Sequence, residues 1–600
     1  MSQQSQSSVT KYRYDPLPNS DSIRLLELQP GDKTDPISCR LFLTRLQDEP
    51  QYEAITYVWG DPNTRVSILV NDKTLGVTPS LQDALLQVRS PILPRILWAD
   101  AICINQEDMK ERGHQVGMMA RIYENARSVL ICLNDINDSL AEKLELVIEE
   151  ISKKVDHNLA QYRLYEHTPR MKIDKIHDLA HLPLSSFDDL MRNPWFSRLW
   201  VLQEIGLANK GFIVCGERYI DWESVMKTIM WKTRVPRASP GDGSDVRYTA
   251  WRSWYSFKPE SRARFIIVSA YQSFLELLRE TRKHRALDPR DHLYAQLSHP
   301  ASIRDRVQSF LEPDYEKTPE HVYREFTIGW INEHQSVDIV AYSGHALTGD
   351  GALDLPSWVP RWDDDFTNPN PLYIFNYVNK SVAINASNGS KCHIRQPTPT
   401  QLQVKGFILS TASEKSNRLS RGVFFRTRDS EPSMLLEPFL EEVIEQTGRT
   451  KDLLRACYLA MIGGIDRRGG SRATFSDFAS FILPVARSLE SLDAEALREI
   501  EKAAEKQPDP SEFISSSKIP INQRNLFLTD SNRLGLGPYT MDKGDLCCIV
   551  FGASTPWILR PVSGDEYIFV GDTYLEGVMH SEAMKMLEEG KYSERWFTLV

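Results

Sequence analysis

The sequence lacks a long hydrophobic run. No stretch approaches the roughly 20 apolar residues that are needed to cross a bilayer. The first 22 residues, MSQQSQSSVTKYRYDPLPNSDS, are polar and contain no apolar core of the kind found in signal peptides. We therefore expect no membrane span, a cytoplasmic location and a flexible N-terminal tail over residues 1–20.

The sequence also lacks the local motifs of several enzyme classes. Its eight cysteines include no C-x-x-C pair, which argues against a structural zinc site, and their scatter through apolar stretches indicates buried, reduced thiols. There is no G-x-x-x-x-G-K-[ST], no G-x-S-x-G and no H-E-x-x-H. We therefore expect neither a resident cofactor nor a metal.

Positive charge is in deficit. The 71 lysines and arginines face 81 aspartates and glutamates, for a net charge of −10, which argues against a nucleic-acid partner bound through a broad basic surface. The content of 41% hydrophobic and 25% charged residues is typical of a soluble globular protein. A length of 600 residues predicts several domains.

The N-terminal part alternates between strand and helix patterns, which predicts an α/β domain over residues 21–216. Ile96 to Ile104 is nearly continuous apolar sequence, broken only by Asp100, as in a strand that is covered on both faces. Three segments are predicted as central, mutually parallel strands: 52–58, 96–103 and 128–133. Three others are predicted as helices: 80–89, 107–126 and 194–208.

Local signals add detail. Asn71-Asp72 predicts the turn of a hairpin over 66–78. Ser80 is the predicted cap of the first helix. Asn193 is the predicted cap of the helix over 194–208, with Pro194 in its first position.

The remainder of the chain is divided by changes in composition. A charged, helical stretch at about 136–187 is predicted as an insertion in the first domain. Residues 217–350 are predicted to be mainly helical, and 351–600 to form a mixed α/β region whose end is rich in strands.

Polar and aromatic residues follow two of the predicted parallel strands. In such sheets, ligands bind at the carboxyl ends of the strands, so these residues are candidates for a binding site. Core packing of the aromatic rings and capping of the loops account for them equally well. The first set is Tyr57, Trp59, Gly60 and Asp61, and the second is Asp100, Asn105 and Gln106.

Glu204 lies near the end of a helix that is apolar on almost every side. On a continuous helix, it would share a face with Phe196 and Trp200. An unpaired buried carboxylate is costly. Glu204 therefore either pairs with a cation such as Arg112 or Arg192, or faces a cleft near residues 59–61 with its carboxylate partly open to solvent.

Three blocks of the sequence closely resemble the signature blocks of the fungal heterokaryon incompatibility (HET) domain. They are YEAITYVWGD, LWADAICINQEDMKERGHQVGMMARIYENARSVLICL and NPWFSRLWVLQEIGLA, which lie within residues 52–208. The resemblance implies a protein of a filamentous fungus that acts in non-self recognition leading to programmed cell death.

The order of these blocks is also similar to that of TIR domains, which have a flavodoxin-like parallel sheet. SRLWVLQEI looks like the TIR helix whose glutamate is catalytic in NAD-cleaving members, and that glutamate falls on Glu204. The loop that borders the nucleotide falls on Trp59, Gly60 and Asp61. This likeness implies cleavage of the nicotinamide–ribose bond of NAD, with NAD as substrate.

The resemblance leaves two mechanisms open. As an enzyme, the domain would use Glu204 as its catalytic residue, with Trp59 and Trp200 excluding water and Asp100, Asn105, Gln106 and Arg112 lining the site. As a death-signalling module without enzymatic activity, it would act by self-association or by binding another incompatibility protein.

Overall fold

The computed structural model describes residues 10–134, 136–162, 179, 181–234, 246–258, 271, 273–343, 354–364, 371–372, 384–419, 432–450, 452–464, 473–505 and 508–600. The predicted tail over 1–20 and the predicted insertion over 136–187 lie partly outside these residues. The chain forms two compact units, Met1–Thr318 and Pro319–Val600. None of the helices in the described ranges combines the length and the apolarity that crossing a membrane requires.

The first unit is built on a nine-stranded sheet in the order β5-β4-β2-β1-β6-β3-β7-β8-β9. Its strands are β1 Ser22–Leu28, β2 Ser38–Arg45, β3 Glu53–Tyr57, β4 Val66–Val70, β5 Lys73–Val77, β6 Arg95–Trp98, β7 Val129–Cys132, β8 Gly211–Cys215 and β9 Arg218–Asp221. β3 is parallel to both β6 and β7, and β7 is parallel to β8. The prediction of parallel central strands is confirmed, and the order β6-β3-β7-β8 is that of a flavodoxin-like sheet.

Helices flank this sheet and predominate among the described residues that follow it in the first unit. They are α1 Pro79–Val88, α2 Asp100–Cys103, α3 Met109–Asn125, α4 Asp138–Tyr162, α5 Leu184–Met191, α6 Val201–Leu207, α7 Trp222–Arg234, α8 Val246–Phe257, α9 Phe274–Thr281, α10 Asp291–Tyr294 and α11 Pro300–Arg304. The helical middle of the chain was predicted correctly.

The predicted strand over 96–103 is wrong in its second half. β6 ends at Trp98, and Asp100–Cys103 form the one-turn helix α2. The Asp100 carboxylate accepts a hydrogen bond from the backbone N–H of Ala101 (2.8 Å) and so stabilises the start of the helix. A short apolar run does not by itself distinguish a strand from a buried helix.

The predicted helix over 194–208 is interrupted. Pro194–Ser197 form a 3₁₀ turn, Arg198 is extended, and α6 begins at Val201. The backbone N–H of Arg285 donates to the Ser197 carbonyl (2.6 Å), and the N–H of Leu199 donates to the Arg285 carbonyl (3.0 Å). This distant pairing pulls residue 198 out of the helix. The common face predicted for Phe196, Trp200 and Glu204 is therefore wrong.

Three local signals can be compared with the structure. Asn71 and Asp72 both have positive φ (49° and 61°), which confirms the predicted hairpin turn between β4 and β5. The side chain of Asn193 accepts from the N–H of Trp195 (3.0 Å), as predicted. The cap of α1 is Thr78 rather than Ser80, because Pro79 already occupies the first helical position.

The second unit combines helices with a second sheet. Its helices are α12 Pro319–His334, α13 Glu437–Thr447, α14 Leu453–Met461, α15 Phe475–Ser488, α16 Ala494–Ala504, α17 Pro510–Ser517 and α18 Glu582–Glu588. Its strands are β10 Ile394–Thr398, β11 Gln401–Lys415, β12 Arg524–Thr529, β13 Leu534–Pro538, β14 Leu546–Val550, β15 Trp557–Ser563, β16 Glu566–Asp572, β17 Tyr574–Leu575 and β18 Arg595–Leu599. The strand-rich end agrees with the prediction.

Five of these strands close into a ring. The pairing runs β14-β15-β16-β18-β11, and β11 pairs back to β14. Phe407, Ile549, Ile558 and Val570 are buried in one core beside this ring. All eight cysteines are unpaired thiols, seven of them buried and Cys392 half-buried.

Candidate functional site

A buried polar cluster lies at the carboxyl end of β3. Thr56 and Tyr57, the last residues of β3, pair with Ile131 and Cys132 of β7. The boundary between these two strands is the switch point of a flavodoxin-like sheet, where such folds bind ligands. We call the group the switch-point cluster; its members are Thr56, Tyr57, Trp59, Asp100, Trp195, Arg198 and Glu204.

Glu204 is enclosed within this cluster and is only 1% exposed. The hydroxyl of Thr56 donates to its carboxylate, and the indole N–H of Trp195 donates to the Thr56 oxygen (2.8 Å). Arg198 Nη2 lies 3.7 Å from Glu204 Oε1. Burial raises the pKa of Glu204, and the Arg198 charge only partly offsets this.

Of the two alternatives for Glu204, the open cleft is therefore wrong, and pairing with a cation holds with a different arginine. Its carboxylate is not partly open to solvent, because the side chains around it fill the space. Its partner is neither Arg112 nor Arg192 but Arg198, which the interrupted helix brings to it. Arg192 pairs instead with Asp189 (2.5 Å).

Asp100 supplies a second buried carboxylate. It accepts hydrogen bonds from the indole N–H of Trp59 (3.0 Å) and from the hydroxyl of Tyr57 (3.3 Å). Arg198 donates to the carbonyl of Tyr57 and so links the two halves of the cluster. Burial raises the pKa of Asp100, against the opposing effect of Arg198. The structure thus joins Tyr57, Trp59, Asp100 and Glu204 around one guanidinium.

Gly60 and Asp61 form the turn that follows β3. Both are exposed, and Gly60 has φ of 71°, a left-handed conformation that favours glycine. The Asp61 carboxylate accepts from the backbone N–H of Asn63 (2.9 Å) and from the Thr64 hydroxyl (2.9 Å). These bonds lower the pKa of Asp61. The side chain of Asp61 stabilises its own loop.

Asn105 and Gln106 belong to the loop after α2. The side chain of Gln106 donates to the Asp100 carbonyl (3.0 Å) and so supports α2. The backbone N–H of Asn105 donates to Glu111 (2.7 Å). Asn105 also lines an open surface pocket of about 500 Å³ together with Asp108, Glu316 and their neighbours.

Arg112 and Trp200 lie in a second cluster. The indole N–H of Trp200 donates to one oxygen of Asp291 (3.0 Å), and the hydroxyl of Tyr315 donates to the other (2.5 Å). The guanidinium of Arg112 stacks on the Tyr315 ring (3.9 Å) and lies 3.7 Å from Asp288. Burial raises the pKa of Asp291 to about 6.

Sequence reasoning missed Thr56, Trp195, Arg198 and Asp291. The signal for Asp291 is in the sequence, since DPRDHLY places two aspartates directly before apolar residues. Arg198 carries no such signal, because its role depends on the backbone pairing with Arg285.

The two carboxylates of the switch-point cluster are already hydrogen-bonded to neighbouring side chains. Glu204 is also buried, so a substrate hydroxyl can reach it only if the surrounding side chains move. Within the described part of the chain, no group of three or more histidine, cysteine, aspartate or glutamate residues is arranged to hold a metal ion.

Comparisons with known proteins define the class. Residues 52–204 match the family model described as Heterokaryon incompatibility protein (HET), and residues 487–593 match that of the Het-6 beta-barrel domain. The chain therefore carries a region similar to the HET domain and, further along, a region similar to the Het-6 beta-barrel domain. It is 24% identical over 667 aligned residues to "Heterokaryon incompatibility protein 6, OR allele" of Neurospora crassa, covering 95% of this chain and 96% of that protein. No solved structure matches the chain significantly.

Proposed function

We propose that this protein acts in heterokaryon incompatibility, as a component of the non-self recognition that ends in programmed cell death. The HET match over 52–204 and the named relative, which aligns over nearly the whole chain, support this role. The HET domain is the part of the chain that produces the death signal.

The geometry favours a signalling module that works without enzymatic activity. The observation that carries this choice is the burial of Glu204, a residue that is 1% exposed and whose carboxylate already contacts Thr56 and Arg198. A group that stabilises a transition state has to face the reacting atoms. In this role the domain acts by self-association or by binding another incompatibility protein.

Cleavage of NAD is a second candidate, favoured by the place of the cluster at the switch point of the sheet. In that reaction nicotinamide leaves C1′ of the ribose with the electrons of the C–N bond, water adds to C1′, and one proton is released. Glu204 would stabilise the oxocarbenium-like state and hold a ribose hydroxyl. Trp59 and Asp100 would first have to separate to admit the substrate.

Glu204→Gln distinguishes the two mechanisms, because glutamine keeps the shape and the acceptor for Thr56 but removes the charge. The full chain and the variant are expressed from an inducible promoter in a filamentous fungus that lacks this protein, and cell death is scored. Purified, concentrated protein is incubated in parallel with NAD, and the products are separated by chromatography.

A signalling module predicts equal killing by both chains and unchanged NAD. Conversion of NAD by the original chain, lost in a folded Glu204→Gln variant, would establish the enzyme instead. Absence of cell death with the original chain, alone and in fusions with strains that carry different alleles, would contradict the incompatibility role itself.

A further inference from the structure

Residues 10–15, which we call the N-terminal strap, lie along the end strand of the first sheet. The backbone N–H of Tyr12 donates to the Thr74 carbonyl (2.8 Å), and the N–H of Thr74 donates to the Thr10 carbonyl (3.0 Å). Thr74 belongs to β5, whose outer edge would otherwise offer these groups to another strand. The strap is therefore held on the sheet edge by backbone bonds.

The strap also binds α2 directly. The hydroxyl of Tyr14 donates to the Ile102 carbonyl in α2 (2.9 Å). The Tyr14 ring lies against the Arg24 guanidinium, 4.9 Å from ring centroid to carbon. This places one end of the strap on the short helix that carries Asp100.

Arg24 adds a second link between the strap and α2. It is 2% exposed and donates to the Asp15 carbonyl of the strap (2.6 Å) and to the Cys103 carbonyl of α2 (3.1 Å). Its other bonds go to both oxygens of Glu111 (2.6 and 3.0 Å). Through Arg24, the strap is bound to the carboxyl end of α2.

The helix held in this way has only four residues, too few to be stable without outside contacts. Its first residue, Asp100, binds Trp59 and Tyr57 in the switch-point cluster. Hydrogen bonds to α2 therefore connect the strap, through this short helix and Asp100, to Trp59 in the loop after β3.

We propose that the N-terminal strap regulates the switch-point cluster. Docked on β5 and α2, the strap fixes Asp100 and holds Trp59 in the closed position. When the strap leaves the sheet edge, α2 loosens, the bond between Trp59 and Asp100 opens, and the carboxylates become accessible. The inference rests on the second candidate function, in which a substrate reaches the carboxylates of this cluster.

Hydrogen exchange of the full chain, followed by mass spectrometry, tests the connection. The release variant carries Tyr12→Pro, which removes the donor to Thr74, and Tyr14→Phe, which removes only the hydroxyl bound to Ile102. Arg13→Ala is the matched control on the exposed side of the strap. We expect amides of residues 57–64 and 100–104 to exchange about tenfold faster in the release variant, since two to three hydrogen bonds are lost.

The control should exchange like the original chain, and the amides of β7 should be unchanged in every variant. Tyr14→Phe alone should give a smaller increase at 100–104, which covers the case in which the proline variant folds poorly. Unchanged exchange at 57–64 after release of the strap would overturn the proposal, and so would an equal increase in every strand. Since exchange requires no biological readout, cell-death experiments contradict the proposed function independently of this result.

Discussion

At the scale of single residues, the switch-point cluster has more negative than positive groups. Asp100 and Glu204 are both buried, and both are influenced by the charge of one guanidinium, that of Arg198. Removal of one partner from a buried ion pair leaves an uncompensated charge, and the cost depends on which partner is removed. The two carboxylates and the arginine are therefore not equivalent for stability.

We expect Arg198→Met to lower the free energy of unfolding by about 2–4 kcal/mol, because it leaves two buried carboxylates without a cation. Glu204→Gln should change it by less than about 1 kcal/mol, because Asp100 still accompanies Arg198 and glutamine still accepts from Thr56. Urea unfolding at pH 7 measures both. A larger loss in Glu204→Gln than in Arg198→Met would contradict this description of the cluster.

Asp291 makes stability depend on pH. Its pKa is raised to about 6 in the folded protein, so the folded state holds a proton that the unfolded chain has already released. The resulting stabilisation is full below the ordinary pKa of about 3.8 and is lost as the pH rises through 6.

Asp291→Asn should therefore flatten the stability profile between pH 4 and 6. Asparagine can accept from Trp200 and donate to Tyr315, so the fold should survive the change. Unfolding midpoints of both chains across this range provide the test. Identical slopes for the two chains would show that Asp291 does not titrate there.

At the scale of elements, local sequence predicted those features that local chemistry determines. The turn at Asn71-Asp72 and the cap at Asn193 were correct because a few adjacent residues suffice to form them. The break before α6 was missed because it depends on pairing with Arg285, almost ninety positions away. For the same reason, sequence reasoning named Asp100 and Glu204, which the structure brings into one cluster, but not Arg198, the cation between them.

Two glycines four residues apart in α3 allow an element-scale test. A methyl group on Gly117 would meet no atom within 4 Å, whereas one on Gly113 would lie 3.1 Å from the Pro313 carbonyl. Gly117→Ala should therefore stabilise the protein by about 0.5–1 kcal/mol, the usual gain of alanine over glycine inside a helix. Gly113→Ala should lose that gain or reverse it.

Thermal unfolding of the two alanine variants, each compared with the original chain, measures the difference. Both substitutions replace glycine with alanine inside the same helix, so the gain in helix propensity is the same. Any difference between their unfolding temperatures therefore reports the contact with residue 313. Equal shifts of the unfolding temperature in both variants would show that the backbone at Pro313 moves to accept the methyl group without loss of stability.

At the scale of the whole molecule, each of the two units has its own sheet and core. In the second unit, β11 pairs with both β14 and β18, and Gly406 lies where all three strands meet. A methyl group there would lie 2.2 Å from the carbonyl oxygen of Ile549. Because this oxygen belongs to the backbone, it cannot move aside as the end of a flexible side chain can.

Gly406→Ala should therefore destabilise the ring by about 1–3 kcal/mol or more, as overpacking does in a filled interior. Hydrogen exchange should accelerate in 402–411, 546–550 and 595–599, while the central strands β3 and β7 keep their protection. Equal acceleration in both units would contradict the separation of their cores.

The pairing of β18 also bears on how the protein is made. β18 lies between β11 and β16 and is the last of these strands to be synthesised. A polypeptide emerging from the ribosome therefore presents β11 without one of its neighbours for nearly two hundred residues. The first sheet is complete once β9 has emerged, so it can fold early, whereas the ring can close only after β18 has emerged. During that interval, chaperones that bind unpaired strands would find their target in the second unit.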